Sequence, residues 1–249
     1  MNGQMYQIAC IVAAARKALK NDKEICYKPE KYTNKLSFQI LPLENGEATE
    51  LSVSDWFENI KEKGLKDLQL FCPISVEDRG ILGFSNTTQS AILCFYKDGK
   101  ASYFLPNWES ASAGRGWDVT YTEYEWERPF QDLPHYENNM EEFKDILARI
   151  EDLAIKIECD NFAKVFHSAR NFLLDPESGK GLAEPQIPPQ HLSIFRAASA
   201  ADVFGAMGSW NDEPGWLAQD KGLGKVYDDL SDQLLRNIRL AILYAINEW

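Results

Sequence analysis

Histidine is scarce in this chain, with three in 249 residues. The histidines form no HExxH pattern and no Cys/His ligand cluster, and the GxSxG pattern of many serine hydrolases is missing. These absences argue against a zinc site and against common serine-hydrolase chemistry. We therefore expect no bound metal ion and no cofactor.

Cysteine pairing motifs are missing as well. The five cysteines are odd in number, and no two of them have CxxC spacing. Four lie in apolar runs, where a thiol behaves as a small hydrophobic group. The sequence therefore predicts no disulfide framework, a reducing compartment and a cytoplasmic protein.

The apolar run over residues 5–15 is too short to span a bilayer. No lysine or arginine precedes this run, whereas Arg16, Lys17 and Lys20 follow it, which is the wrong charge order for a secretory signal. We predict a buried first helix over residues 4–21 and no membrane partner.

An excess of basic charge is also absent. The net charge is −12, and residues 107–160 account for nine of the twelve excess negative charges. Such a field repels nucleic-acid phosphates and anionic membranes, and it attracts basic molecules. The charge pattern thus argues against nucleic-acid binding and favours a basic partner.

The first half of the chain carries strand and hairpin signals. Asn45-Gly46 separates strand candidates at residues 36–43 and 51–53, and Asp98-Gly99 separates candidates at 90–96 and 101–105. Further strands are predicted at residues 65–72 and 118–128, and a short one within the loop at 80–84. Ser54 is predicted to cap a short helix over residues 55–63 that stops at Gly64, and residues 106–116 are predicted to form a loop.

The second half has helical periodicity. Apolar residues recur at helical spacing over residues 138–157 and 162–174, with a predicted break at Asp160-Asn161, and the last helix is predicted over residues 225–247. The expected fold is α+β: an N-terminal helix, then an antiparallel sheet of five to seven strands packed against a C-terminal helical bundle. We expect residues 1–249 to form a single compact domain, with sub-regions 1–35, 36–130 and 136–249.

Residues 188–212 are predicted to hold the central helix of that bundle. Small residues recur on one face, and the spacing extends the helix to Gly205, with Gly208 as its stop. Asp202 lies among apolar residues, so its carboxylate needs a partner. We expect that partner to be Arg170, Arg236, Arg239 or backbone N–H groups of residues 208–211.

The segment that follows this helix could form a small polar pocket. Asp202, Asn211 and Asp212 are the catalytic candidates there, and Trp210 would supply an aromatic wall. The alternative interpretation is structural: Trp210 enters the core, and Asn211 or Asp212 makes a turn.

Glutamates alternate along residues 118–128. Glu123, Glu125 and Glu127 share one strand face with Val119 and Tyr121, which is typical of a sheet edge protected by charge. Aromatic residues within the acidic segment could anchor a partner. The predicted binding surface comprises Trp108, Trp117, Glu123, Tyr124, Glu125, Trp126 and Glu127.

Two functions are consistent with these patterns. The first is a non-enzymatic, acidic protein-binding domain that neutralises a basic partner, as an immunity or inhibitor-type protein does. The alternative is a carboxylate-based hydrolase or transferase with its site around Asp202 and Asp212. A pocket around Asp202 would favour the alternative.

Overall fold

The strands that the structure describes lie in the first half of the chain, and most of its helices follow them. The computed structural model describes residues 1–40, 49–111, 115–127, 133–175, 184–205 and 207–249. Within these residues the strands are β1 (Thr33–Gln39), β2 (Glu50–Leu51), β3 (Leu65–Phe71), β4 (Ala91–Tyr96), β5 (Ala101–Ser110) and β6 (Trp117–Glu125). The helices are α1 (Gly3–Asn21), α2 (Val53–Glu62), α3 (Met140–Lys156), α4 (Asp160–Leu174), α5 (Pro189–Ala201), α6 (Glu213–Asp220) and α7 (Gly224–Asn247), with a 3-10 helix over Arg79–Gly83. The predicted α+β class is confirmed.

The strands form one mixed sheet in the order β2-β1-β6-β5-β4-β3. Neighbouring strands run antiparallel except β1 and β6, which are parallel and align Phe38 with Tyr121. Hairpin signals in a sequence report consecutive strands, so they carry no information on this parallel pair. The predicted antiparallel sheet therefore contains one parallel pair that the sequence patterns do not show.

Contacts along the chain divide it into two compact units. The sheet unit comprises Gln4–Cys72 and Thr88–Pro134, and the helical unit comprises Met1–Gly3, Pro73–Thr87 and His135–Trp249. The organisation of residues 1–249 as a single compact domain stays a prediction.

In the sheet unit, α1 and α2 contact one face of the sheet. Trp56 of α2 stacks on Phe38 of β1 with ring centroids 4.2 Å apart, and both are fully buried. Gln7 of α1 accepts a hydrogen bond of 3.0 Å from the hydroxyl of Tyr121.

The opposite face of the sheet carries a smaller apolar cluster of Leu93, Phe95 and Ala101, with Phe71, Tyr103, Trp126 and Leu133 packed against it. Every residue of β4 is buried, as predicted for a strand that is covered on both faces.

In the helical unit, α7 packs against α3, α5 and α6, while α4 packs against α3 and α5. The helix predicted within residues 188–212 is α5, and its buried residues include Ala197, Ala198 and Ala201, whose small side chains let neighbouring helices come close. Trp210, in the segment after α5, is fully buried between Phe162 and Phe166 of α4.

Helix α5 ends earlier than predicted. Asp202 is its C-cap residue, with φ −76° and ψ 81°, so the chain leaves the helix before Phe204 and Gly205. The N–H of Trp210 donates to the carbonyl of Val203 at 3.1 Å, which folds the segment back on itself. This reversal buries the Trp210 indole. The stabilisation from that burial outweighs the helical tendency that the spacing of the preceding residues indicates.

Strand β5 continues through Ser110, so the predicted loop over residues 106–116 is wrong over its first half. Pro106 suggests a loop because proline cannot donate to a strand ladder. Beyond Phe104, however, β5 no longer pairs with β4 and pairs with β6 alone. A proline destabilises a sheet less at a position where the strand has only one neighbouring strand.

Other local boundaries also differ from the predictions. The cap of α2 is Ser52 rather than Ser54, and residues 79–83 form a 3-10 helix in place of the short strand considered there. The break between α3 and α4 comes at Glu158, whose φ is +63°, before Asp160 begins α4. Asn45-Gly46 falls within residues 41–48, outside the described residues.

All five cysteines are free thiols, which agrees with the absence of a disulfide framework. No helix in the described part of the chain has the length and apolar character needed to cross a membrane.

Candidate functional site

A cavity of about 690 Å³ lies at the hairpin end of the sheet. It is lined by the β4–β5 hairpin, by Lys63 and by the end of β6. The hairpin closes at Gly99, whose φ of +84° is favourable only for glycine, and this confirms the Asp98-Gly99 turn. Gly64, with φ +87°, reverses the chain after α2, and its carbonyl accepts the N–H of Lys97 at 3.0 Å. Two glycine turns thus bring Lys63 to the same end of the sheet as the hairpin.

Four side chains form a hydrogen-bonded chain at this cavity. Glu123 accepts from the Ser102 hydroxyl at 2.9 Å and from the Lys63 ammonium at 3.2 Å, through different carboxylate oxygens. The Tyr96 hydroxyl lies 3.1 Å from the Ser102 oxygen. Because Ser102 gives its only proton to the carboxylate, Tyr96 must be the donor in that contact.

Strand register explains why these residues meet. Ser102 lies opposite Glu125, and Phe104 lies opposite Glu123, so Ser102 and Glu123 are diagonal neighbours on one face. Glu123 is 4% exposed, and a carboxylate this deeply buried requires the hydrogen bond and the counter-ion that it receives.

Burial raises the pKa of Tyr96 well above its ordinary range, and the nearby Cys94 thiol and Glu123 carboxylate act in the same direction. Burial likewise raises the pKa of Cys94, with a smaller contribution from Glu123. Tyr96 is therefore a neutral hydrogen-bond donor at physiological pH, and Cys94 is a neutral thiol rather than a nucleophilic thiolate.

The cavity walls carry an excess of negative charge. Four carboxylates and two lysines line it. Lys63 pairs with Glu123, and Lys100 pairs with Asp98 at 3.5 Å on the surface. Glu125 and Glu127 are exposed and have no ion pair with any residue that the structure describes. The cavity therefore offers two carboxylates that no described residue neutralises.

Glu123 is not exposed, as a charge-protected sheet edge would require. Strand β6 pairs with both β1 and β5 only over Trp117–Thr122, and Glu123, which pairs with β5 alone, is 4% exposed. Glu125 and Glu127 are exposed. The alternation of side chains along the strand correctly places the three glutamates on one face. It does not reveal that a lysine and a serine from other elements bind one of them, Glu123.

The aromatic residues of the predicted binding surface divide into exposed and buried groups. Tyr124 is 41% exposed, and it stacks on Tyr103 with ring centroids 5.4 Å apart. Trp126 is half-buried. Its backbone N–H donates to the carbonyl of Ala101 at 3.0 Å and so continues the hydrogen bonding between β6 and β5. Trp108 is 5% exposed and packs edge-to-face with the half-buried Trp117. Trp108 and Glu123 therefore lie in the interior, and the exposed part of the predicted surface comprises Tyr124, Glu125, part of Trp126 and Glu127.

The catalytic candidates bind backbone groups in the helical unit. Asp202 accepts the N–H of Asn2 at 2.9 Å, so the predicted arginine partners and the predicted partner in residues 208–211 are wrong. Asn211 donates to the carbonyl of Arg79 at 2.9 Å, and Asp212 accepts the N–H of Gly208 at 3.0 Å. These contacts fit the structural interpretation, because each side chain fixes a different stretch of backbone.

The helical unit also contains a cavity, of about 750 Å³, lined by the start of α3 and by Arg236 and Leu240 of α7. None of the three catalytic candidates lines it. Their assignment to catalysis stays a prediction.

Lys63, Ser102 and Tyr96 are not among the site residues predicted from the sequence. Ser102 and Tyr96 flank the Asp98-Gly99 turn at alternating positions, so the hairpin register could have indicated that they share a face. Lys63 precedes the helix-ending Gly64, but no local signal connects it with a glutamate on a distant strand.

Within the described ranges, no group of three or more histidine, cysteine, aspartate or glutamate side chains is placed to hold a metal ion. Comparison of the chain with protein-family models, with curated proteins and with solved structures gave no match. The geometry of the cavity is therefore the basis on which a function can be inferred.

Proposed function

We propose that this protein binds a basic protein partner through the acidic surface around the cavity at the end of the sheet. The observation that supports the proposal is the pair of exposed carboxylates, Glu125 and Glu127, which border the cavity without a counter-ion among the described residues. An inhibitor or immunity protein that neutralises a basic enzyme or toxin would act in this way. The proposed setting is the cytoplasm, without nucleic acid, membrane or cofactor.

Charge and shape have separate roles in this proposal. The net charge of −12 attracts a basic partner and speeds encounter. At contact, the cavity accepts a lysine or arginine side chain of the partner, and Glu125 and Glu127 bind its cationic group. The exposed part of Trp126, which lines the cavity, provides aromatic contact area beside it.

The buried chain of Tyr96, Ser102 and Glu123 has a supporting role. Its members provide hydrogen-bond partners for one another behind the cavity, and Glu123 forms an ion pair with Lys63. Because Lys63 is already paired, its charge opposes an incoming cation less than a lone ammonium would.

The test compares Glu125→Gln/Glu127→Gln with a control, Glu24→Gln/Glu62→Gln, which removes two exposed charges elsewhere in the sheet unit. Immobilised proteins are used to capture binding proteins from a lysate of the native host over a range of salt concentrations, and affinity for the captured protein is then measured. We expect a basic protein whose binding weakens as salt rises. The cavity variant should lose roughly three- to tenfold in affinity, and the control should lose less.

Capture that is insensitive to salt, or the absence of any captured basic protein, would contradict the proposed function. Equal losses in the two double variants would instead show that only the overall charge matters, and that the cavity is not the binding site.

A further inference from the structure

Three arginines are buried in the part of the chain that the structure describes, and two of them have carboxylate partners. Arg16 is 5% exposed, and it donates to Asp67 at 3.2 Å and to the carbonyl of Leu68 at 3.0 Å. Arg196 is 7% exposed and forms a two-point ion pair with Glu184, in which one contact is 3.0 Å. These pairings are the usual way in which a folded protein tolerates a buried guanidinium.

Arg239 of α7 is the third case and differs from the others. It is 3% exposed, and its Nη1 atom is enclosed without a hydrogen-bond partner. No carboxylate of the described residues forms an ion pair with it. A guanidinium cannot lose its proton at any physiological pH, so this charge cannot be relieved by neutralisation.

The surroundings of Arg239 on its own helix offer no anion. The residues one turn away are Leu235, Ile242 and Leu243, which are buried, and Arg236, which is another cation. Asp232, the carboxylate of the same helix that is nearest in sequence to Arg239, pairs with Arg79 instead. Beyond the helix end, Glu248 accepts the N–H of Tyr136 at 2.9 Å.

We infer that Arg239 is a binding site for a small oxyanion, namely a phosphate or carboxylate group, that enters the helical unit. A charge at this depth without a counter-ion among the described residues is strongly unfavourable, and an oxyanion would supply both the countercharge and acceptors for the planar N–H fork. This site is independent of the proposed function, because it lies in the helical unit and shares no residue with the cavity of the sheet unit.

The experiment measures thermal unfolding in sodium phosphate, sodium acetate and sodium chloride at equal ionic strength. Wild type is compared with Arg239→Met, and Arg236→Met serves as the matched control because Arg236 is an exposed arginine on the same helix. We expect the Tm of wild type and of Arg236→Met to rise with the logarithm of phosphate or acetate concentration, as binding to the folded state requires. Arg239→Met should show only the general salt effect. The two oxyanion series distinguish a phosphate site from a carboxylate site.

Identical anion responses in wild type and Arg239→Met would overturn the inference. A second measurement on wild type covers the case in which Arg239→Met does not fold. In protein labelled with ¹⁵N-arginine, the side-chain N–H resonance of Arg239, assigned with Arg239→Lys, should shift with saturation as phosphate or acetate is added. A resonance that does not move, or that moves without saturation, would also overturn it.

Discussion

Two tryptophans close together in sequence have opposite environments. Trp210 is fully buried and donates its indole N–H to the Ser231 hydroxyl at 2.8 Å, whereas Trp216 of α6 is 65% exposed. The hydroxyl of Tyr227 also donates to the backbone carbonyl of Trp210. The segment between α5 and α6 is thus held in place by one large side chain and its hydrogen bonds.

The first prediction follows from this contrast. Trp210→Ala should lower the free energy of unfolding by about 3–5 kcal/mol, because it leaves a cavity and an unpartnered Ser231. Trp216→Ala is the matched control and should change it by less than about 0.5 kcal/mol. Urea denaturation of the three proteins measures both effects. Similar midpoints for the two variants would show that Trp210 does not stabilise the fold.

At the scale of elements, the start of α2 shows which of two candidate serines caps the helix. Ser52 accepts the N–H of Asp55 at 3.2 Å and donates to the Asp55 carboxylate at 2.7 Å. Ser54, the cap predicted from the sequence, lies inside the helix. Both serines are residues of a type that caps helices. The burial of Trp56 and Phe57, rather than the cap itself, determines the residue at which α2 begins.

The second prediction tests that boundary. Ser52→Ala should destabilise the protein by about 1 kcal/mol, since two of its hydrogen bonds are lost at the helix start. Ser54→Ala should be within about 0.5 kcal/mol of wild type, because alanine is favourable inside a helix. Denaturant melts followed by circular dichroism distinguish the two, and the reverse order of stabilities would place the cap at Ser54.

Element types could be predicted from the sequence more readily than the site could. The hairpin at Asp98-Gly99 and the helix over α3 depend on local residues, so their patterns are visible in short windows. The hydrogen bonds of Glu123 depend on β5 and on the end of α2, which reach it only through strand register and two turns. The end of α5 is similar, because Trp210 determines it from outside the helix.

At the scale of the whole molecule, several tyrosines are held in surroundings that oppose ionisation. Burial raises the pKa of Tyr27, Tyr96 and Tyr121 above the ordinary value of 10.0, and Glu30 adds to the effect at Tyr27 and Tyr121. Burial together with the Glu30 charge raises the pKa of Cys10 from 9.0 to about 12. The folded state therefore holds these protons more tightly than the unfolded state does.

The third prediction is a loss of stability in alkali. The contribution of these groups is complete below the unfolded pKa values, about 9 for cysteine and about 10 for tyrosine, and it falls as the pH rises towards the folded values. We expect the free energy of unfolding to decline above about pH 10, with phenolate absorbance appearing together with the loss of folded circular dichroism. Phenolate absorbance that titrates fully near pH 10 in a folded protein would contradict the burial of these side chains.

The parallel pair of β1 and β6 has a consequence for the order in which the sheet can be assembled. Asn34 and Asp118, which bond across the start of this pair, are 84 residues apart. Closing a loop of that length costs roughly 2–3 kcal/mol more chain entropy than closing a tight hairpin such as the one at Asp98-Gly99. On a ribosome, β1 leaves the exit tunnel long before its neighbour β6 has been synthesised, and its pairing with β2 spans two residues on each side. Strands β3 to β6 each pair with the next strand in sequence and can pair as they emerge, so we expect β1, together with β2, to join the sheet only after β6 has emerged.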